Sequence, residues 1–330
     1  MPSSNLSTRT ISPGSSLTRT LSFMMFLIGW TAVLATTLGF FGSTWWPLDM
    51  LSDWRLILAV VLAAAALAAG FGYSRISSIV FLVAAIVNAV LIAPMWLNDQ
   101  AQLTSSDRVR IISLDVGSTP DARESVIEWI NMSEGDIVLL ANAGGNWRQY
   151  LEGENAPYRV VTDDPGLTGG TLVLARSGIP VTIEDVPNVL GAVDVIVTVP
   201  LGDQKVTIVG VSFERPVNSS AYSERIDEFT AINARMGRNT SPTVIIGNLE
   251  AARWSHAFSV IANGMNNSED GFGYMATFPS YTVPLVSEYA GTPVDHALYV
   301  GPITVSHRRV GPDVGTDHRP LLIDLSPASG

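Results

Sequence analysis

Cysteine is absent from this chain of 330 residues. Its absence excludes disulfides, thiolate metal sites and a cysteine nucleophile. Lysine is almost absent as well, because Lys205 is the only one in the sequence. Proteins that bind duplex nucleic acid do so largely through lysine and arginine contacts to phosphates. Nucleic-acid binding is therefore disfavoured.

The charged residues are unevenly distributed along the chain. Two of the 30 acidic residues and four of the 19 basic residues precede residue 98, so residues 98–330 carry a formal net charge of −13. This negative field also opposes a polyanionic partner. The first hundred residues, by contrast, are almost all apolar or small.

Three apolar runs without any charged residue lie in this first part: Phe23–Phe41, Leu56–Tyr73 and Ile79–Leu97. Each run is long enough to cross a hydrocarbon layer of about 30 Å. Trp45 and Trp46 follow the first run, where aromatic residues mark the membrane–water boundary. We therefore predict a three-helix transmembrane region over residues 21–97. The alternatives are a buried soluble helical hairpin and, for the first run, a secretory signal peptide.

Basic residues predict the orientation of these spans. Arg9 and Arg19 precede the first span and Arg75 lies between the second and third, whereas the intervening loop contains Asp49 and Asp53. The positive-inside rule then places the N-terminus in the cytoplasm. We expect a multi-pass protein of the bacterial inner (cytoplasmic) membrane, with its C-terminal part in the periplasm.

Four segments follow from this topology. Residues 1–20 form a cytoplasmic tail and residues 21–97 the membrane region. Residues 98–107 form a short polar tether. Residues 108–330 form an extracytoplasmic domain with alternating strand and helix patterns. The predicted strands are Val109–Val116, Ile137–Ala141, Gly170–Ala175, Val193–Val199, Lys205–Val211, Val244–Ile246, Ala297–Val300 and Leu321–Leu325, and the predicted helices are Asp121–Met132 and Ser219–Met236.

Polar side chains next to these strands indicate the chemistry of the domain. Asp317 and His318 lie just before the last strand, and Asp295 and His296 open the one before it. An adjacent acid and imidazole can share a proton and hold it over a phosphate. The order of these motifs with Arg110–Gly117, Asp136–Asn142 and Gly247–Glu250 resembles the endonuclease/exonuclease/phosphatase superfamily over roughly residues 108–326.

The resemblance implies a fold and an activity. The fold class is α+β, with the three transmembrane helices followed by a four-layer α/β/β/α sandwich. The implied activity is phosphoester hydrolysis with Mg²⁺ or Mn²⁺. Of the residues that the family uses, Asp295, His296, Asp317 and His318 match its pattern.

Other family positions have changed. Asp115 stands where the family has asparagine, and Asn142 replaces the glutamate that binds the metal. Ser212 stands where the family has a phosphate-contacting His or Tyr. In the Gly-Asp-Phe-Asn hallmark, Asn248 and Glu250 replace the aspartate and the asparagine.

These changes predict impaired catalysis. Divalent magnesium prefers carboxylate oxygens, and the amide of Asn142 removes one negative charge from the metal's surroundings. Asn248 cannot accept a proton at neutral pH. If a cation binds, the candidate ligands are Asp115, Asn142, Glu250 and Asp317; the candidate or vestigial catalytic residues are Asp317, His318, Asp295, Asn248, Glu250 and Ser212. An alternative is that the Asp317–His318 pair is purely structural.

Two functions remain open. The first is a non-catalytic accessory or structural subunit of a larger membrane complex of respiration, photosynthesis or transport, without a cofactor. The second is a metal-dependent phosphodiesterase or phosphatase that acts on a lipid head group or a small phosphorylated molecule at the membrane surface. A sensor that binds a small anion in the same pocket is a third class.

Overall fold

The computed structural model describes residues 14–70, 74–97, 107–117, 119–143, 146–151, 157–162, 170–186, 193–236, 240–280, 289 and 291–328. The chain divides into two compact units. The first contains residues up to Leu38 together with Arg55–Leu91, and the second contains Gly39–Trp54 together with Ile92–Gly330.

Helices dominate the N-terminal hundred residues: α1 (Gly14–Leu38), α2 (Trp46–Leu51), α3 (Arg55–Gly70), α4 (Arg75–Ile92) and α5 (Pro94–Leu97). Three segments are long and apolar enough to cross a membrane, namely Thr20–Phe41, Trp46–Gly70 and Arg75–Ile92. The prediction of three such helices is confirmed. Residues 1–13 of the predicted tail and 98–106 of the predicted tether lie outside the described residues, and residues 14–20 form the first part of α1.

Helices α1, α3 and α4 pack together in the first unit. Ala65 and Ala69 on α3 are buried with Phe81 on α4 and Ala32 on α1. A Cβ at Gly29 would lie 2.6 Å from the Phe81 ring, so the close approach of α1 requires glycine there. The small residues of α3 therefore serve packing within the chain's own helices.

A buried polar cluster joins the same three helices. Asn88 on α4 donates to the hydroxyl of Thr36 at 3.0 Å. Arg55 donates to the Thr36 carbonyl at 3.0 Å and to the Asn88 side chain at 3.3 Å. A polar side chain in an apolar environment needs such partners, so this cluster fixes the register of the three helices.

Residues 39–54 and 92–97, which lie within the predicted membrane region, are grouped by their contacts with the second unit. Asp49 accepts hydrogen bonds from the backbone N–H groups of His256 and Ala257. The backbone N–H of Gly273 likewise donates to the carbonyl of Met95. These polar contacts explain why both segments belong to the C-terminal domain.

Two six-stranded sheets form the C-terminal domain. The strands are β1 (Val109–Asp115), β2 (Ile137–Ala141), β3 (Tyr158–Val160), β4 (Leu172–Arg176), β5 (Thr182–Glu184), β6 (Val193–Leu201), β7 (Gln204–Ser212), β8 (Thr243–Asn248), β9 (Asn266–Asn267), β10 (Asp295–Val300), β11 (Ile303–Val310) and β12 (Leu321–Pro327). The first sheet has the order β11-β12-β1-β2-β4-β3 and the second β5-β6-β7-β8-β10-β9. Only β1–β2 and β7–β8 pair in parallel among the described strands.

Helices cover the outer faces of the two sheets. Helices α6 (Arg123–Ser133) and α7 (Asn146–Leu151) pack on the first sheet through Trp129 and Trp147. Helices α8 (Ser219–Met236) and α9 (His256–Ile261) pack on the second through Phe229 and Phe258. The inner faces share one apolar core, which includes Ile111, Leu139, Val197, Ile246 and Ile323. The predicted four-layer α/β/β/α sandwich is confirmed.

Candidate functional site

Five polar side chains lie at one edge of the two sheets. Asp115 ends β1 and Asn142 follows β2, which runs parallel to β1. Ser212 ends β7 and Asn248 ends β8, which also run parallel. Asp295 begins the antiparallel β10 and is paired with Asn248. Because parallel strands end at the same edge, residues distant in the sequence meet here.

The carboxylate of Asp115 is surrounded by hydrogen-bond donors. The side-chain nitrogen of Asn142 lies 2.9 and 3.0 Å from its two oxygens, and the backbone N–H of Gly117 donates at 3.1 Å. The amide of Asn248 donates at 3.3 Å, and the Ser212 hydroxyl lies 3.5 Å away. Asp115 is almost fully buried, so these donors compensate its lost hydration.

Glu250 occupies the next position in the cleft. Its carboxylate accepts a hydrogen bond from Asn248 at 3.2 Å and from the Arg215 guanidinium at 2.9 Å. The backbone carbonyl of Glu250 accepts a third bond from Arg225 at 2.7 Å. Glu250 has φ +48°, which is uncommon for a residue with a side chain. Strained backbone of this kind is concentrated at functional sites.

His318 and Asp295 form a buried pair. Nδ1 of His318 lies 2.8 Å from an oxygen of Asp295, and Nε2 lies 3.6 Å from Glu250. Although burial opposes the shift, the pKa of His318 is raised to about 9 because Asp295, Asp115 and Glu250 favour the charged ring. Burial likewise opposes the lowered pKa of Asp295, which the His318 charge holds below its usual range.

This protonation state limits the chemistry of the site. At neutral pH His318 is an imidazolium that can donate a proton or contact an anion but cannot accept a proton. The two amides, Asn142 and Asn248, cannot accept one either. Glu250 is the remaining carboxylate next to His318, and it is engaged by Arg215. Among the described residues of the site each carboxylate is therefore engaged by a donor: Glu250 by Arg215, Asp115 by Asn142 and Asp295 by His318.

Asp317 directly precedes His318 in the sequence. Its side chain is exposed, and this side chain makes no hydrogen bond or ion pair with another described residue. Its backbone carbonyl accepts the N–H of Ser280 at 2.8 Å. Of the candidate residues, Asp115, Asn142, Ser212, Asn248, Glu250, Asp295 and His318 are brought together by their side chains, whereas the side chain of Asp317 makes no hydrogen bond or ion pair with them.

Sequence reasoning missed two participants. Arg215 holds the Glu250 carboxylate, and Asp194 on β6 is close enough to Asp115 to respond to its charge. Burial raises the pKa of Asp194 to about 7, the Asp115 charge adds to the shift, and a hydrogen bond from Thr171 at 2.6 Å opposes it. The sequence signal for Asp194 was an acidic residue within the apolar run of a predicted strand. A carboxylate buried there needs a hydrogen-bond partner or a raised pKa.

Comparison with known proteins identifies the fold family. The model of the endonuclease/exonuclease/phosphatase family matches residues 112–318. The chain belongs to this family. No curated protein was found to match it.

Two solved structures illustrate the likeness. A humanized TDP2 from D. rerio has 15% sequence identity, a TM-score of 0.52, and coverage of 67% of this chain and 100% of its own. TDP2 from C. elegans has 13% identity, a TM-score of 0.51, and coverage of 83% of this chain and 93% of its own. At these identities the likeness concerns the family fold alone.

The family's divalent metal does not fit the side chains as they lie here. A magnesium ligand must point an oxygen at the ion. In this chain both oxygens of Asp115 face amide N–H groups, and Glu250 faces Arg215. Among the described residues no group of three or more His, Cys, Asp or Glu side chains is arranged to hold a metal ion.

Proposed function

We propose that this protein is a membrane-anchored member of the family that does not hydrolyse phosphoesters and serves as an accessory subunit of a larger membrane complex. One observation carries the loss of activity. Asn142, at the family's metal-binding glutamate, donates its amide to both oxygens of Asp115. The amide thus fills with its own N–H the space in which a cation would contact Asp115.

The membrane-facing part supports the accessory role. Many large apolar side chains of the three helices are exposed, among them Leu67, Ile79 and Val90. Such surfaces are satisfied by lipid or by helices of partner proteins. The sparse arginines support an N-terminus in the cytoplasm and a periplasmic domain of a bacterial inner-membrane protein. Respiratory, photosynthetic and transport assemblies are all compatible with this topology.

An assay of the full chain in detergent tests the loss of activity. We expect no release of product from lipid or generic phosphodiester substrates with Mg²⁺, Mn²⁺ or Ca²⁺. The double variant Asn142→Glu/Asn248→Asp restores the family's acids and should gain Mn²⁺ binding, measured by paramagnetic resonance. Wild-type activity that disappears in His318→Ala and in Glu250→Gln would overturn the proposal.

A second experiment tests the partner. Purification from native membranes in a mild detergent should return the chain in a stoichiometric assembly with other integral membrane proteins. A matched preparation in a harsh detergent is the control, because it should dissociate the assembly. A lone monomer in both preparations would contradict the accessory role.

The runner-up function is hydrolysis of a lipid head group or small phosphorylated substrate. One observation favours it, namely the intact pair of His318 and Asp295 at 2.8 Å. An imidazolium beside the cleft is suited to contact a phosphate oxygen. The assay described above separates the two functions, because only this one predicts turnover that depends on His318.

A further inference from the structure

A cavity of about 290 Å³ lies in the second unit, apart from the cleft of Asp115 and His318. It is lined by residues 43–46, which lead into α2, by one face of α8, and by His256 at the start of α9. None of these residues belongs to the candidate active site. The cavity is therefore separate from the site that the family resemblance implies.

The α8 wall presents hydroxyl groups. Ser219, Tyr222, Ser223 and Ile226 line the cavity at spacings of three and four residues, which places them on one face of the helix. The hydroxyls of Ser219 and Ser223 make no hydrogen bond to another described residue, so they are open to a ligand. The Tyr222 hydroxyl is engaged by Asp49 at 3.0 Å, which holds its ring in the wall.

Two tryptophans also line the cavity. Trp45 and Trp46 both line the cavity, and the Trp45 side chain is 57% exposed. In the sequence they follow closely on α1, which ends at Leu38 and is apolar enough to span a membrane. Indole rings next to a span prefer the level of the lipid head groups. The natural source of a ligand for this cavity is therefore a membrane lipid.

The lining also defines the charge of the ligand. No Asp, Glu, Lys or Arg side chain is among the described residues that line the cavity, so the imidazole of His256 is the only group there that could become a cationic partner of a phosphate. The domain's formal charge of −13 disfavours anions further. A lining that combines hydroxyls, which donate and accept hydrogen bonds, with flat aromatic rings suits a neutral molecule with many hydroxyl groups. We propose that this cavity binds the neutral sugar head group of a membrane glycolipid.

Native mass spectrometry of the full chain released from nanodiscs tests this site. The probes are a monohexosyl diacylglycerol, the same diacylglycerol without its sugar, phosphatidylglycerol, and a free methyl hexoside. We expect the glycolipid to bind at least about tenfold more tightly than the sugar-free lipid, since several hydrogen bonds distinguish them. Equal binding of both would overturn the proposal. Stronger binding of phosphatidylglycerol would overturn the neutral class, and equally strong binding of the free hexoside would overturn the lipid source.

Matched variants locate the site. Ser223→Leu fills the cavity and should reduce glycolipid binding about tenfold or more, whereas Ser220→Leu, on the same helix but outside the lining, should not. Trp45→Ala should weaken binding while Trp54→Ala, at a similarly exposed tryptophan that does not line the cavity, should leave it unchanged. Circular dichroism confirms that each variant folds. Glycolipid binding that is unaffected by both Ser223→Leu and Trp45→Ala would overturn the assignment of the cavity.

Discussion

The carboxylate of Asp49 accepts the backbone N–H of His256 at 2.6 Å, although the two residues are 207 positions apart. The same carboxylate accepts the N–H of Ala257 at 3.1 Å and the hydroxyl of Tyr222 at 3.0 Å. Asp49 thus compensates the unsatisfied N–H groups at the first turn of α9. Helix α2, which carries Asp49, is consequently held to the start of α9 by these hydrogen bonds.

Removal of this carboxylate should destabilise the domain. We expect Asp49→Ala to lower the free energy of unfolding by roughly 2–4 kcal/mol, because it leaves buried N–H donors without an acceptor. Denaturant unfolding of the full chain in detergent measures this change. Asp203→Ala, at an exposed aspartate between β6 and β7, is the control and should change stability by less than about 0.5 kcal/mol. Equal effects of the two variants would contradict the structural role of Asp49.

The sequence predicted the regular elements well. The bounds of β2 (Ile137–Ala141) and α8 (Ser219–Met236) were predicted without error, because apolar runs and helical periodicity are local signals. The β11 strand was missed, since its residues Ile303–Val310 include two arginines and a histidine that interrupt the apolar pattern. Its burial pattern depends on pairing with β12, which no local pattern shows.

The candidate site was only partly predictable. The strand ends that hold Asp115 and Asn248 followed from the resemblance, but the direction of the Asn142 amide did not. That direction depends on the φ of +56° at Asn142 and on a carboxylate from another strand. The hydrogen bonds between Asp49 and the start of α9 could not be predicted either, because contacts between residues distant in the sequence produce no periodic pattern.

The pair of His318 and Asp295 should make stability depend on pH. The folded pKa of His318 is raised to about 9, so its stabilisation is complete below the unfolded value of about 6.5 and is lost as the pH rises through about 9. The lowered pKa of Asp295 affects stability at acidic pH. Its stabilisation is present above the unfolded pKa of 3.8 and is lost as the pH falls through the lower folded pKa.

Nuclear magnetic resonance of the histidine rings measures the pKa of His318 directly. We expect one ring to titrate near pH 9 and its signal to vanish in His318→Gln. Asp295→Asn should lower the midpoint, because the largest stabilising charge beside the ring is removed. His307→Gln, at an exposed histidine on β11, should leave the high titration unchanged. A His318 midpoint near the ordinary value of 6.5 in the wild type would contradict the buried pair.

Gly247 should be intolerant of any side chain. It precedes Asn248 at the site with φ +145°, and a Cβ at this position would collide with the carbonyl oxygen of Val211. We expect Gly247→Ala to destabilise the domain by about 2 kcal/mol or more, because the parallel pairing of β7 and β8 must open. Gly264→Ala is the control, since Gly264 also has positive φ but its Cβ would meet nothing within 4 Å. Equal effects of both variants on thermal unfolding would show that backbone strain, rather than the contact with Val211, causes the destabilisation.

Glu269 should be a second determinant of stability, although it lies outside the site. Its fully buried carboxylate is 3.1 Å from His296 and 3.4 Å from the equally buried Arg308. Although burial opposes it, His296, Arg308 and Arg253 together hold the pKa of Glu269 well below its usual range. The carboxylate is therefore ionised. It compensates the positive charge of the Arg308 guanidinium, which is buried away from water.

Truncation of Glu269 should leave the charge of Arg308 uncompensated. We expect Glu269→Ala to lower the free energy of unfolding by about 3–5 kcal/mol, as found when one partner of a buried ion pair is removed. Glu128→Ala, at an exposed glutamate on α6, should have little effect. The double variant Glu269→Ala/Arg308→Met should recover part of the loss, because it removes the unpaired charge while keeping an apolar side chain of similar length. A double variant less stable than Glu269→Ala would show that Arg308 stabilises the domain by packing rather than through its ion pair.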